Sequence, residues 1–405
     1  MPSFWLDHDA NDEERLFRQS IRKFVEDFVN PLELDYRKNP KETTHRICSE
    51  SMKRGIRTLG IPEKYGGQSI SNFMRGIASE EIGRSLIREG GPLVGNELHF
   101  ANKCPEFLVE KWLQKILFGD IIIGIASTEP KSGSDVASIE TTAKKRGNKY
   151  VINGEKGPVS GISRCGGWIV IARTDDSKSG SRGISEIFVE DDLPGVERTR
   201  FDSMDDSWDL GLIKFSNVEV PTDHLIGLEN EGFRQRMTAF DIERVSLGAI
   251  GAAMHSLELT VQYSKDRMVW GKPIAAFEGV MFPLVDEITK METVRSFCYN
   301  ILRRFDAGEK LTKESAMFHW YVNKVVLEAL DTCIQVNGAQ GFTDSVPHQR
   351  RYRRQRGNLI GHGTVEIQKL IIGREIWGRE IYELALGRAL SLVKGDNNKT
   401  YPQAG

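Results

Sequence analysis

Two ionisable side chains in the C-terminal half have the types and settings that proton-transfer chemistry needs. The first is Glu243, which lies three residues after Phe240 and four before Leu247, on the apolar stripe of a predicted helix. A buried glutamate is costly unless it is paired or protonated, so a carboxylate in this setting is a candidate general base. The alternative is a structural salt bridge to Arg236, Arg244 or a neighbouring chain.

The second candidate base is His362, which stands between two glycines in the segment Leu-Ile-Gly-His-Gly-Thr at residues 359–364. An imidazole has an unperturbed pKa of about 6.5 and can accept a proton near neutral pH. The alternative is a histidine that only completes a hydrogen-bonding network.

A polar loop at residues 126–135 has a composition suited to binding an anion. It reads Ala-Ser-Thr-Glu-Pro-Lys-Ser-Gly-Ser-Asp and follows a β-prone run. Gly133 permits a close backbone approach, and exposed N–H groups with the hydroxyls of Thr128 and Ser134 could bind a group such as a pyrophosphate. The alternative is a polar connection between two strands with no ligand.

The composition excludes several classes of protein. The chain has 405 residues, 39% hydrophobic and 28% charged, with a net charge of −2, which gives no general attraction to nucleic acid or a membrane surface. The basic run at 350–356 is therefore interpreted as a contact with ligand phosphates or with another subunit. Five cysteines without a CxxC pair argue against a disulfide framework or a zinc site. We expect a cytoplasmic location and no membrane partner, because the chain shows neither a signal-peptide pattern nor a membrane-span length.

Hydrophobic spacing divides the chain into three regions and a tail, which predicts an α+β fold. Residues 1–120 have helical spacing, and residues 121–230 contain short β-prone runs typical of an antiparallel barrel or sandwich. Residues 231–395 are helical again, and residues 396–405 are expected to form a mobile tail. Helices are expected over four stretches of the last region: 237–263, 277–306, 312–338 and 364–393.

Several segments together resemble the signatures of the acyl-CoA dehydrogenase family. The loop at 126–135 is similar to the family's Thr-Glu-Pro-Gly-Ala-Gly-Ser-Asp, and residues 265–274, Lys-Asp-Arg-Met-Val-Trp-Gly-Lys-Pro-Ile, are similar to Arg-x-x-Phe-Gly-x-x-Ile. Residues 335–342 resemble Gln-x-x-Gly-Gly-x-Gly, and residues 240–244, Phe-Asp-Ile-Glu-Arg, resemble the start of the first C-terminal helix. These segments occur in the family's order over nearly the whole chain, so together they are specific to the family, whereas one of them alone would be a weak signal.

The resemblance implies an FAD site between the central and C-terminal domains, partly held by another subunit. Thr128 would face the flavin ring, Ser160 would bond to the ring, and Arg267 would pair with the pyrophosphate. The residues implied to bind the cofactor are Thr128, Gly133, Ser134, Ser160, Arg267, Trp270, Gln335, Gly338, Thr364 and Glu366. Those implied to contact the thioester ligand are Ser134, Asp241 and Arg244.

The implied fold is an N-terminal helical domain, a central β-barrel and a C-terminal four-helix bundle. The implied reaction is α,β-dehydrogenation of an acyl thioester, in which Glu243 takes the α-proton and the β-hydride passes to the flavin near Ser160. The implied partners are an acyl-CoA or acyl-carrier thioester, an electron-transferring flavoprotein or oxygen as electron acceptor, and further copies of the chain in a homotetramer or homodimer.

Departures from the family pattern leave other functions open. His362 replaces the glutamate that many members keep before Gly-Thr, so either Glu243 or His362 is the catalytic base. The other departures are Pro158 for Trp, Lys131 for Gly, Arg354 for Asp and Glu366 for Gln. They keep three alternatives: a carrier-tethered substrate, a non-redox elimination or lyase reaction with structural FAD, and an FAD-binding subunit without catalysis.

Overall fold

The computed structural model of the chain describes residues 5–7, 10–87, 89–178, 180–243 and 247–385, without the side chains of residues 238–243, 383 and 385. The first region is helical, as predicted. The first of these helices begins with a capping box, in which Asn11 and Glu14 bond each other's backbone N–H groups. Its helices are α1 Asp12–Phe24, α2 Glu33–Lys38, α3 Pro40–Lys53, α4 Asn72–Gly83, α5 Gly95–Lys103 and α6 Glu106–Leu117.

The central region forms an eight-stranded sheet among the described residues. Its strands are β1 Ile122–Ala126, β2 Thr142–Arg146, β3 Lys149–Val159, β4 Cys165–Arg173, β5 Ile184–Glu190, β6 Val196–Arg200, β7 Gly211–Pro221 and β8 Leu225–Ile226. The order is β6-β7-β3-β2-β4-β5-β8, and β1 joins the sheet beside β4. Most neighbours run antiparallel, as predicted, but β1 runs parallel to β4 along its whole length.

The last region is helical, with one short hairpin formed by β9 Met268–Val269 and β10 Lys272–Pro273. Its helices are α7 Gly232–Glu243, α8 Gly248–Asp266, α9 Glu278–Asp306, α10 Thr312–Asn337, α11 His348–Asn358, α12 Val365–Trp377 and α13 Arg379–Ala385. The apolar faces of α8, α9 and α10 pack into one core with part of α4. The predicted α+β fold class is confirmed.

Two helix predictions were wrong in their lengths. The single helix expected over 237–263 is two helices, because α7 ends at Glu243 and Leu247 forms a turn before α8. Apolar periodicity missed this turn because the apolar spacing of the sequence continues through it. The helix expected over 364–393 is interrupted at Gly378, whose φ of 87° is a left-handed conformation that glycine adopts without strain. The basic run at 350–356 lies within α11.

The N-terminal and C-terminal helices are joined by a buried ionic network and a backbone contact. Glu80 on α4 accepts hydrogen bonds from Arg295 Nε at 2.7 Å and Nη2 at 2.8 Å, and from the Tyr299 hydroxyl at 3.1 Å. Farther along α4, a Cβ on Gly83 would lie 2.1 Å from the carbonyl oxygen of Gly248. This close approach fixes the start of α8 against α4.

No helix among the described residues is long and apolar enough to cross a membrane. The strands of the main sheet fall between residues 122 and 226, inside the region predicted to be β. The domain boundaries at 120/121 and 230/231 stay predictions, as does the tail at 396–405, which lies outside the described residues.

Candidate active site

A cavity of about 1230 Å³ lies where the three regions of the chain meet. Its walls come from α4 and α5, from the segments that follow β3 and precede β7, and from α8, α10 and α11. Its volume exceeds the roughly 300–1,000 Å³ that is typical of small-ligand sites. Of the residues predicted from the sequence, Ser160 and His362 line it from opposite regions of the chain.

The turn that carries His362 is held in place from behind. His319 donates from Nε2 to the carbonyl oxygen of Gly361 at 3.1 Å, and Gln368 donates to the carbonyl oxygens of His362 at 2.9 Å and Gly363 at 3.0 Å. Both supporting side chains are buried, whereas His362 is exposed toward the cavity. His362 has a φ of 56°, a left-handed conformation that a non-glycine residue keeps only when its surroundings impose it.

A second wall begins directly after β3, at Ser160 and Gly161. The N–H of Gly161 donates to the carbonyl oxygen of Trp208 at 3.1 Å. The Trp208 indole donates to the carbonyl oxygen of Arg354 at 3.3 Å, and its ring fills the space that a Cβ on Gly357 would occupy. One tryptophan thus docks the β region onto α11, the helix that leads to the His362 turn, and sets the separation of the two walls.

The loop at 127–134 is anchored by a buried ion pair that the sequence did not reveal. Glu129 accepts hydrogen bonds from Lys156 Nζ at 2.8 Å and from the N–H groups of Glu140 at 2.7 Å and Thr141 at 2.9 Å. Burial lowers the pKa of Lys156 to about 8, although the Glu129 carboxylate opposes this shift. Burial alone would raise the pKa of Glu129, but Lys156 and the two N–H groups hold it below its ordinary value.

This anchor positions Thr128 beside the start of the cavity's β wall. The carbonyl oxygen of Thr128 accepts a hydrogen bond of 2.8 Å from the N–H of Gly157, three residues before Ser160. Gly133 and Ser134 are exposed farther along the loop, and open space surrounds the position of a Cβ on Gly133. Lys131 points to solvent, with Nζ 3.7 Å from the Glu140 carboxylate, so it is a weak surface contact.

Three of the predicted site residues fall partly or wholly outside the described structure. Glu243 is the last residue of α7 and Asp241 lies two residues before it, but their side chains are not described. Arg244 lies outside the described residues. On either side of them, Arg236 on α7 bonds Asn96 on α5 at 2.9 Å, and Gly248 lines the cavity.

The cavity wall is predominantly basic among the described residues. Seven cationic side chains line it: Arg75, Lys103, Arg164, Arg200, Arg350, Arg351 and Arg354. Three carboxylates oppose them: Glu89, Asp206 and Asp209. This excess of positive charge suits a ligand that carries phosphate or carboxylate groups.

Comparisons with known proteins agree with the fold. Family models for the N-terminal, middle and C-terminal domains of acyl-CoA dehydrogenases match residues 11–120, 124–218 and 230–377. Acryloyl-CoA reductase (NADH) of Anaerotignum propionicum is 30% identical over 393 residues, 92% of this chain and 97% of that protein.

This chain belongs to the acyl-CoA dehydrogenase family. The caffeyl-CoA reductase-Etf complex subunit CarC of Acetobacterium woodii is 28% identical, over 89% of this chain and 97% of that protein. The crystal structure of acyl-CoA dehydrogenase from Geobacillus kaustophilus matches with a TM-score of 0.79 and 29% identity, over 91% of this chain and 99% of that one. Family membership makes the protein an oxidoreductase flavoenzyme with FAD as its cofactor.

The residues of this acyl-CoA dehydrogenase family member fit FAD. Gly338 has a φ of 59° and a ψ of −139°, a backbone conformation open to glycine alone, with space around it for a ligand. Trp270 is 88% exposed in the β9–β10 turn, and Arg267 and Gln335 are also exposed. Thr364 caps α12 and Glu366 lies in its first turn, where its own N–H and the Thr364 hydroxyl hold the pKa of the carboxyl below its usual range. Exposed N–H groups, hydroxyls and an arginine are the donors that a flavin and its pyrophosphate need; the individual binding roles stay predictions.

Sequence reasoning missed four residues that shape this site. They are Arg75 and His319, which line the cavity, and Glu129 and Lys156, which anchor its loop. His319 left no signal, because a lone histidine in an apolar helix is usually a core residue. Lys156 stands between Glu155 and Gly157, so the sequence around it gave no sign that its side chain is buried.

Proposed function

We propose that the protein catalyses the α,β-dehydrogenation of an acyl thioester, with Glu243 as the base that takes the α-proton. The observation that carries this proposal is the cavity between the three regions, with Ser160 on one wall and His362 on the other. Hydride acceptance from the β-carbon is the chemistry that FAD supplies when bound.

The position of Glu243 in the chain supports its role as the base. It ends α7, and the chain is anchored on either side of it: Arg236 bonds Asn96 of α5, and Gly248 contacts Gly83 of α4, which supports a position close to the cavity. A carboxylate can take the α-proton of a thioester when it lies within hydrogen-bond reach of it. His362 supports the wall through its fixed backbone and is the alternative base.

The pinned His362 turn and the Trp208 contact serve to keep the two walls at a constant distance. A thioester that enters between them is then oriented by the walls themselves, which lowers the entropy cost of bringing base and substrate together. The basic lining provides partners for the phosphates of a CoA or carrier-protein arm.

The reverse reaction is the second candidate function. The same residues would deliver a proton to the α-carbon while an enoyl thioester is reduced, and the named reductases among the relatives favour this direction. An electron-transferring flavoprotein is the proposed redox partner, because one relative is named as part of a complex with such a protein.

The test is an anaerobic absorption titration of the purified flavoprotein with acyl-CoA and enoyl-CoA panels. Loss of the flavin band with an acyl-CoA supports dehydrogenation, and return of the band in the reduced protein with an enoyl-CoA supports reduction. If neither thioester changes the band of a fully loaded protein, both redox proposals fail and the non-redox alternatives take their place.

The base is identified with matched variants of this enzyme. Glu243→Gln should retain the flavin but slow its bleaching by roughly 10²- to 10⁴-fold, the usual contribution of a general base. Glu231→Gln, which removes a charge just before α7 where Glu231 pairs with Arg234, should change the rate little. A full rate in Glu243→Gln combined with a large loss in His362→Asn would assign the base to His362.

We also propose that the protein assembles as a homotetramer or homodimer. Large apolar side chains are exposed in the C-terminal region, more than a monomer normally leaves uncovered. They include Met268, Trp270, Phe282, Phe342, Trp377 and Ile381. Sedimentation equilibrium tests the assembly, and a particle mass equal to the 45.7 kDa of one chain would refute it.

A further inference from the structure

One face of α4 forms a wall of the cavity and carries small residues along most of its length. The residues on this face are Asn72, Arg75, Gly76, Ser79 and Gly83, which recur at helical spacing. Gly83 marks the end near the start of α8, where its backbone meets Gly248. Arg75 lies eight residues earlier, about 12 Å along the helix axis at about 1.5 Å per residue.

The guanidinium of Arg75 lacks an anionic partner in the described part of the protein. Its Nε is buried without a hydrogen-bond acceptor, and no described carboxylate lies within salt-bridge distance. Asp306 is the carboxylate whose charge acts on Arg75, but its oxygens accept hydrogen bonds from the N–H groups of Asn72 at 2.6 Å and Phe73 at 3.0 Å. Burial lowers the pKa of Arg75, and the charge of Asp306 opposes this shift. Keeping the buried guanidinium charged therefore costs free energy.

The surroundings leave room for a ligand group at this arginine. A Cβ on Gly60 would lie 3.1 Å from Arg75 Nη2, so only a glycine there lets the backbone pack this close to the guanidinium without a side chain crowding it. Asn102 and Lys103, at the end of α5, line the same part of the cavity. Between this polar end and Gly83, the lining includes Gly76 and the apolar side chain of Leu302.

This arrangement differs from that of Arg200, Arg350 and Arg351, which also line the cavity. Arg350 is paired with Glu33 at 2.7 Å, and Arg200 with Asp206 and Asp209 at 3.2 Å each. Arg351 is saturated by neutral acceptors, among them the carbonyl oxygens of Ala252 and Arg84. Those side chains stabilise the protein itself, whereas Arg75 keeps its hydrogen-bonding capacity for something that enters the cavity.

We propose that Arg75 binds a carboxylate at the far end of the acyl group, so that the substrate class is an ω-carboxyacyl thioester. This inference rests on the proposed function, since it takes the thioester end to lie near Gly83 and Glu243. An arginine without a described carboxylate partner, at the end of a partly apolar face, suits one carboxylate. Arg75 is a specificity residue and takes no part in proton or hydride transfer.

The binding test uses the FAD-loaded enzyme and CoA thioethers, which lack the thioester carbonyl and cannot be dehydrogenated. Isothermal calorimetry compares ω-carboxyalkyl-CoA with alkyl-CoA of equal chain length, over chains of six to ten carbons. The wild-type protein should prefer the carboxylate-ended member by roughly 10- to 100-fold at the best length, the usual strength of a charge-assisted hydrogen bond. Arg75→Met should abolish the preference, and Arg75→Lys should retain part of it.

Arg164→Met is the matched control, because it removes a charge from the same cavity where Arg164 faces Glu89 at 3.7 Å. It should leave the preference unchanged. Equal weakening of both thioethers in Arg75→Met would mean a phosphate contact and would overturn the inference, as would equal affinities in the wild type. Since Arg75 has no anionic partner among the described residues, Arg75→Met should unfold at the same temperature as the wild type or higher. If Arg75→Met unfolds at a lower temperature and the preference is unchanged, Arg75 has a structural role and the inference is wrong.

The two proposals can fail separately. If thioesters never bleach the flavin but the thioether preference follows Arg75, the dehydrogenase proposal fails and the carboxylate site stands. If thioesters bleach the flavin and methyl-ended chains react as well as carboxylate-ended ones, the dehydrogenase stands and the carboxylate site fails.

Discussion

Replacing Glu129 by glutamine should destabilise the protein strongly, although the change keeps the shape of the side chain. Lys156 is fully buried, and its Nζ has two partners, Glu129 Oε1 at 2.8 Å and the carbonyl oxygen of Ser127 at 2.9 Å. Glutamine leaves this ammonium buried without a counter-ion. In addition, the amide NH₂ of glutamine would face the N–H of Glu140. Two donors would then meet where the carboxylate now accepts a hydrogen bond of 2.7 Å from that N–H.

The expected loss is about 3–5 kcal/mol in the free energy of unfolding, the usual cost of removing one partner from a buried ion pair, because the other charge is left uncompensated. That is a large fraction of the roughly 5–15 kcal/mol that stabilises a typical domain. Because the same pair anchors the loop that carries Thr128, the variant should also retain less FAD. Equilibrium urea unfolding and the flavin-to-protein absorbance ratio measure the two effects.

Two further variants separate the pair from its surroundings. Glu140→Gln removes an exposed carboxylate from the same loop, 3.7 Å from Lys131, and should cost less than about 0.5 kcal/mol. Glu129→Gln combined with Lys156→Met removes both charges and should recover part of the loss. A loss below about 1 kcal/mol in Glu129→Gln with normal flavin content would refute this account of the loop.

The remaining predictions concern pH and assembly. His255 accepts a hydrogen bond from Arg351 at 3.1 Å, and burial together with Arg351 and Arg84 lowers its pKa to about 3. As pH falls below about 6.5, the unfolded chain therefore binds the proton before the folded protein does, and this removes up to about 2 kcal/mol from the free energy of unfolding by pH 5. Urea unfolding of His255→Gln should lack this contribution. If the free energies of unfolding of the wild type and His255→Gln change with pH in parallel, the prediction is wrong. Trp270→Ala should weaken both assembly and flavin retention, since burying a side chain of that size is worth about 1.5–3 kcal/mol. Phe107→Ala, in the N-terminal region, is the control and should change neither. Sedimentation measures the assembly, and flavin absorbance measures the retention.

The order of elements and most of their positions could be predicted from the sequence, because local spacing determines which face of a helix or strand is apolar. The long helices α9 and α10 begin and end within a residue or so of the predicted stretches. Turns that preserve the buried face escaped detection, as at Leu247, where the apolar pattern continues across the break. The signatures around Thr128, Ser160 and His362 are short, local patterns, and of these residues Ser160 and His362 line the cavity.

What the sequence alone determined is therefore the family, the fold class and the candidates for chemistry, since these depend on residue type and spacing. Tertiary structure alone decided which candidates meet, because Ser160, Trp208 and His362 line one cavity although they lie far apart in the chain. It also decided which charges have partners. Lys156 and Arg75 are both cations in regular elements, yet only packing shows that one is paired with Glu129 and that the other has no described anionic partner beside the cavity.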